Sequence, residues 1–373
     1  MHVCFFSMAK GWGGGELLLS YLLESIAELG VESSLITRHG SPMASWAKQR
    51  PGLRHFEVLG HFLSRPACRQ VRSWVRRHKP DVFVLNDPHA ITQGGIAAWG
   101  LCIPRIGIRH TIFRVNALKH RWLTEHLVCV SEAARDACLA VGLPRAKTSV
   151  IHCGLPSPQV HAEQVAGIHE MFTVAAAAVN DSAPARHLLG VGSLISVKGF
   201  DTTIRAVAKG VEKGKNWHLW LAGEGEKRAE LEKLAVDLKI PDRVHFLGFR
   251  NDIVTLMSAV DVFVSSSRSE GLPLVLVEAM QVGCVIASTP VGGCCEALRV
   301  NKNTQSPFAE IFTPDSTEDA CAAIERATDQ NPLTEGRRAT ARHWAVETFS
   351  QQNMAKKHLA LYEAICSGHV AGA

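Results

Sequence analysis

Apolar residues come in short runs separated by amphipathic stretches, and this alternation is the βαβ rhythm of a parallel sheet. Residues 3–6 predict a strand, and the turn Gly11-Trp12-Gly13-Gly14-Gly15 follows it. Residues 16–29 predict a helix, because Leu18, Leu22, Ile26 and Leu29 fall on one face. Gly30 stops that helix, and residues 32–37 read as the next strand. Further short apolar runs at 81–85, 105–108 and 127–130 are each bounded by turn or helix signals. Between 154 and 186 the rhythm weakens, and Pro156, Pro158, Asn180, Asp181 and Pro184 place a domain boundary there. A second series then predicts strands at 187–192, 217–222, 243–247, 260–264 and 284–287, with helices between them. A last helix at 351–365, carrying Met354, Leu359 and Leu361, is expected to pack back across the hinge.

The expected fold class is α/β, with two Rossmann-like doubly wound domains facing a central cleft at the carboxyl ends of both sheets. The boundaries are 1–165 for the first domain, 186–348 for the second and 349–373 for the terminal helix. The length of 373 residues supports this division, since single cores stop growing at about 250–300 residues.

Composition narrows the function classes. With 46% hydrophobic and 20% charged residues, the chain is an ordinary globular protein rather than a disordered or fibrous one. No apolar run approaches the roughly 18–20 residues of a membrane span, and the N-terminus lacks a basic segment followed by a long apolar one. Eleven cysteines, an odd number without framework spacing, point to free thiols in a reducing compartment, so the expected location is cytoplasmic. No clustered ligands suggest a zinc site, and no Asp-x-Asp pair suggests a metal–diphosphate bridge. Charge is uneven: residues 1–170 hold 19 Lys+Arg against 12 Asp+Glu, so the first half is the one that would attract an anion.

The segment 261–296 carries the chemistry. The strand at 262–264 runs into a small polar loop closed by Glu270, and Gly271-Leu272-Pro273 then opens a helix, with proline at a favoured first-turn position. Amides at such a helix start form an anion site, and Gly271 permits close approach. Glu278 lies eight residues beyond Glu270, inside the helix.

This segment resembles glycosyltransferase family GT4, a group of retaining GT-B enzymes whose signature is a Glu-x7-Glu pair, here Glu270 and Glu278. Further segments are similar to the family in the right order. They are Gly13-Gly14-Gly15, Arg109-His110, Val130-Ser131-Glu132, Val191-Gly192-Ser193-Leu194 with Lys198-Gly199, the strand at 243–248, and Val291-Gly292-Gly293 with Glu296. The resemblance implies a nucleotide-diphosphate sugar as donor substrate, with no cofactor or metal. It implies that Lys198 binds the diphosphate, Glu278 the ribose hydroxyls, and Glu270 the transferred sugar. Backbone at Gly271, Leu272, Pro273 and Leu274 would hold sugar and phosphate. Gly14 and Gly15 would approach the phosphate from the other domain, and His110 would contact the sugar.

A lysine and oriented amides aimed at a leaving diphosphate stabilise the charge that develops there. Retention by double displacement, with a carboxylate nucleophile, and retention by front-face attack both remain open. Many relatives carry Arg where this chain has Ser193, and Arg268 is the candidate replacement in the donor site. The acceptor implied is a saccharide or lipid-linked sugar of a cell-surface polysaccharide or lipopolysaccharide; no nucleic acid is implied. The rival readings are a sugar-nucleotide epimerase or hydrolase, an inactive partner subunit and a nicotinamide oxidoreductase. Against the last, Gly223-Glu224-Gly225 lacks the third glycine of a dinucleotide fingerprint.

Arg65, Arg69, Arg72, Arg76 and Lys79 follow helical spacing and form one basic stripe opposite Ala67, Val71 and Trp74. The stripe reads either as the solvated face of a surface helix or as a peripheral contact with anionic lipid on the inner face of a membrane.

Overall fold

The computed structural model describes residues 1–179, 181, 183–329 and 332–368; Asn180 of the expected boundary and the last five residues of the expected 349–373 segment lie outside the described residues. The chain forms two compact units, Met1–Pro156 joined by the chain from Thr348 onward, and Ser157–Glu347.

The first unit is built on a seven-stranded, all-parallel sheet of β1 (His2–Ser7), β2 (Glu32–Arg38), β3 (Arg54–Val58), β4 (Val82–Leu85), β5 (Arg105–Arg109), β6 (His126–Cys129) and β7 (Thr148–Val150), in the order β3-β2-β1-β4-β5-β6-β7. Strands β1, β4 and β6 are buried along their whole length, as a sheet covered on both faces requires. The edge strand β3, with only Phe56 and Val58 apolar, presents no apolar run, and β7 is three residues long. Those two edges therefore escape a search for apolar runs.

Helix Gly14–Glu28 buries Leu18, Leu19, Leu22, Leu23 and Ile26. The Glu16 carboxylate accepts the Gly13 amide at 3.1 Å, which closes its first turn. The terminal helix Gln351–Cys366 packs on it, within the same unit. Leu155 and Ser350 form a parallel bridge where the chain returns.

Helix Arg65–His78 turns Ala67, Val71, Trp74 and Val75 inward. Of the basic stripe, Arg65, Arg69, Arg76 and Lys79 are exposed. Arg72 is half-buried and donates to the carbonyls of Ala97 at 2.8 Å and Trp99 at 2.7 Å, so it braces the next helix rather than facing solvent freely. No helix among the described residues is long and apolar enough to cross a membrane.

The second unit has a six-stranded parallel sheet of β8 (Arg186–Val191), β9 (Trp217–Ala222), β10 (Val244–Gly248), β11 (Val262–Ser265), β12 (Ile286–Ser288) and β13 (Glu310–Ile311), in the order β10-β9-β8-β11-β12-β13. Helix Ala162–Ala177 occupies part of the stretch read as a boundary and packs on helix Ile253–Ala259 of this unit. Its alanine-rich sequence buries only Ile168 and Phe172, which is why its periodicity is faint.

Candidate functional site

In the second sheet, β8 and β11 are neighbours although three strands apart in sequence. The chain leaves β8 toward one edge and returns at β11 toward the other, so a crevice opens beyond their carboxyl ends, the usual ligand position in such sheets. The loop after β8 carries Ser193 and a short 3₁₀ turn, Ser196–Lys198; the loop after β11 runs from Ser266 to Pro273. Several hydrogen bonds tie the two together. The Arg268 amide donates to the Val197 carbonyl at 2.8 Å, and the Ser266 hydroxyl to the Lys198 carbonyl at 3.1 Å. Lys198 Nζ lies 2.6 Å from Glu270 Oε1, and the Ser267 hydroxyl donates to the same oxygen at 2.7 Å. Both charged side chains are largely covered, at 21% and 13% exposure, so the pair is a preorganised feature rather than a surface ion pair.

The helix after this loop is Leu274–Gln281, one residue later than expected. Pro273 is its N-cap, because an extended ψ of 108° keeps it out of the first turn. The amides of Leu274 and Val275 have no acceptor among the described residues, so the helix opens on oriented donors. Glu278 sits in the second turn, and burial raises its carboxyl from 4.5 to about 6. The folded state therefore holds this proton more tightly than the unfolded one. Stability falls as pH rises from about 4.5 to about 6, and the loss persists above that window. Glu278→Gln is accordingly expected to match the parent in urea stability at pH 4 and to exceed it at pH 8. Identical pH profiles for the two proteins would contradict this.

Arg268 is held by groups from two other segments. Its guanidinium bridges Asp201 at 2.8 Å and Asp315 at 2.7 Å, and also donates to the Ser196 carbonyl. These carboxylates already pair with its charge, which weakens what it can offer a phosphate in place of the arginine absent at Ser193. Ser193 itself is exposed.

In the first unit the strand order reverses between β1 and β4. Asp87, two residues after β4, caps helix Pro88–Ala97 by accepting the amides of His89 and Ala90 at 2.8 and 2.9 Å. Its other oxygen accepts the Met8 amide at 2.6 Å and the Ser7 hydroxyl at 3.1 Å, which joins the two loops at the reversal. Asp87→Ala is expected to cost at least the upper part of the cap range, about 2 kcal/mol, because it also orphans buried donors. Urea denaturation measures this; a shift under about 0.5 kcal/mol would show the network to be dispensable.

Gly15 and His110 meet in the same unit: a Cβ on Gly15 would lie 3.4 Å from the imidazole. His110 Nε2 is 3.3 Å from Asn86 Oδ1, while Nδ1 is buried without a partner among the described residues. Burial holds this histidine at about 4, so it is neutral at physiological pH and acts as a hydrogen-bonding group rather than a charge.

Within the second unit Lys198 meets Glu270 in the loops that precede the helix start, and Glu278 lies farther along that helix; within the first, Gly15 lies against His110. Ser267, Thr289, Asn86 and Asp87 were not foreseen. Asp87-Pro88 after a strand is a readable cap signal. Thr289, which donates to the Ser267 carbonyl at 2.6 Å from a different loop, has no local signature. No group of three or more His, Cys, Asp or Glu among the described residues could hold a metal ion. A lysine beside a carboxylate at a helix mouth can hold a diphosphate and polyhydroxyl groups together.

Comparison with known proteins agrees with this architecture. The family described as glycosyl transferases group 1 matches residues 179–344, and the one described as glycosyltransferase family 4 matches residues 12–157. The chain is 31% identical over 296 residues to the lipopolysaccharide core biosynthesis glycosyltransferase LpsE of Rhizobium meliloti, covering 78% of this chain and 79% of that one. It is 28% identical to LpsD of the same organism, over 97% of both chains. Among solved structures, HepE of Anabaena in complex with UDP superposes with a TM-score of 0.83 over 98% of this chain and 100% of that one, at 19% identity, a likeness of fold.

Proposed function

This chain belongs to the family 4 (group 1) glycosyltransferases, with a GT-B fold of two Rossmann-like units, and from that premise we propose that it transfers a hexose, with retention, from a nucleoside diphosphate donor to a saccharide of a lipopolysaccharide core. The observation that carries the proposal is the Lys198–Glu270 pair at the mouth of helix Leu274–Gln281. The diphosphate takes the ammonium of Lys198 and the first-turn amides, and Glu270, released from the lysine, turns to the hydroxyls of the transferred sugar. As the glycosyl bond breaks, charge grows on the leaving phosphate, where a fixed cation and oriented amides stabilise the transition state more than the ground state. Glu278 accepts hydrogen bonds from the ribose hydroxyls, and its ionised form accepts them more strongly than its protonated form.

His110, neutral and with a spare nitrogen, serves a sugar hydroxyl in the same reading. HepE has been solved with UDP and with UDP-glucose, which supports a uridine donor, and the names of LpsE and LpsD support the lipopolysaccharide core as the acceptor. A thermal-shift panel of UDP-, GDP- and ADP-sugars tests the donor. A ligand at 100 times its Kd stabilises by about 2.7 kcal/mol, so a shift with the UDP sugars alone is expected, and no shift with any of the three would overturn the reading.

A further inference from the structure

Four large apolar side chains stand in solvent together on the first unit. Trp99 and Trp122 stack with ring centroids 6.3 Å apart, and they are 49% and 62% exposed. Ile96, three residues before Trp99, and Leu118, four residues before Trp122, are exposed as well. The two pairs come from different elements, the end of helix Pro88–Ala97 and helix Ala117–Leu123, which pack on each other. A single exposed apolar residue is ordinary, but a contiguous group marks a surface that something covers.

The aromatic shelf is held in place rather than left loose. Arg72 reaches from helix Arg65–His78 to the carbonyls of Ala97 and Trp99, and the Arg105 guanidinium lies 5.5 Å over the Trp99 ring. Glu125, the carboxylate that follows helix Ala117–Leu123, is taken up by Arg105.

The charge beside the shelf has one sign. Helices Arg65–His78, Pro88–Ala97 and Ala117–Leu123 contain no Asp or Glu. Arg69 and Arg76 lie about one turn either side of Arg72, and Arg121 precedes Trp122; all three are exposed. Arg76 and Lys79 line one open groove with Gly100, the residue after Trp99. Asp81, in the same wall, accepts the His2 amide at 2.7 Å. A second copy of this chain would set the patch against itself and bring these cations against their own counterparts, which like-charge repulsion opposes. A bilayer with anionic headgroups meets both features at once. Indoles settle at headgroup level, aliphatic side chains enter the acyl boundary, and arginines meet lipid phosphates.

We propose that this face docks the chain on an anionic lipid surface, with Trp99 and Trp122 as the inserted anchor and Arg69, Arg76 and Arg121 as its electrostatic rim. The inference goes beyond the transfer reaction and stands on the surface alone.

Flotation of the full chain with vesicles tests it, using phosphatidylcholine mixed with phosphatidylglycerol against phosphatidylcholine alone. Binding to the anionic vesicles is expected to be at least tenfold tighter. The double variant Trp99→Ala, Trp122→Ala keeps every cation and is expected to bind the anionic vesicles at least tenfold more weakly, with an unchanged circular dichroism spectrum. Trp122→Ala alone, at the more exposed indole, gives the same direction if the double variant folds poorly. Arg76→Gln should weaken binding about fivefold, the share of one basic residue near such a surface. Quenching of tryptophan fluorescence by brominated lipid is expected in the parent and should largely disappear in the double variant. Equal binding to neutral vesicles, no binding to either, or full binding by the tryptophan variants would overturn the proposal. So would self-association of the parent that the same variants abolish, without vesicle uptake. None of these readouts uses the sugar donor, so they stand or fall separately from the transferase reading.

Discussion

Replacing Lys198 with alanine is expected to lower transfer by about 100- to 1,000-fold, the loss of ~2.7–4 kcal/mol typical when one preorganised donor to a developing anion is removed. The effect should fall on kcat more than on KM, because the ammonium meets more charge as the diphosphate departs than it met in the bound donor. The fold should survive, since Glu270 keeps the Ser267 hydroxyl and the two loops keep their backbone ties through Val197 and Arg268. Lys198→Arg restores charge without the compact point geometry of an ammonium and is expected to recover only part of the rate. Steady-state kinetics with a circular dichroism control measure this. Parent-like rates in Lys198→Ala would remove the lysine from the mechanism.

The second large effect is expected from Gly292→Ala, one methyl group placed away from any charged atom. Gly292 has φ +48° and ψ −128°, a conformation that side chains rarely adopt. An added Cβ would lie 2.0 Å from the Glu270 carbonyl oxygen, far inside contact distance. Either the 290s loop or the Glu270 backbone must move, and the Gly293 amide that donates to the same oxygen at 3.2 Å would be displaced. Backbone strain of this kind costs about 1–3 kcal/mol before the clash is counted, so a total of about 3 kcal/mol or more is expected in urea denaturation. Because the displaced atom belongs to Glu270, donor affinity should fall by more than tenfold as well. Gly52→Ala, with open space around it and no positive φ, is the control and should stay within about 0.5 kcal/mol.

The parts of this site that are legible in the sequence are those written in one continuous stretch. Glu270, the glycine after it and Glu278 share a strand–loop–helix, and their spacing alone places one carboxylate at the strand exit and the other inside the helix. The central strands were equally legible, because burial on both faces makes most of their positions apolar. What the sequence hides is whatever depends on distant partners. Arg268 reads as a free cation until Asp201 and Asp315, 67 and 47 positions away, are seen to hold it. Thr289 acts on Ser267 across 22 positions, and Asp87 on Met8 across 79. Edge strands such as β3 and β13 were missed because a strand with one open side needs no apolar run.

The most direct test of the account is a crystal structure of this chain with UDP. The diphosphate is expected within hydrogen-bond distance of Lys198 Nζ and the amides of Leu274 and Val275, with the ribose on Glu278 and the Lys198–Glu270 contact opened. A diphosphate bound elsewhere, with that ion pair intact, would contradict the central claim.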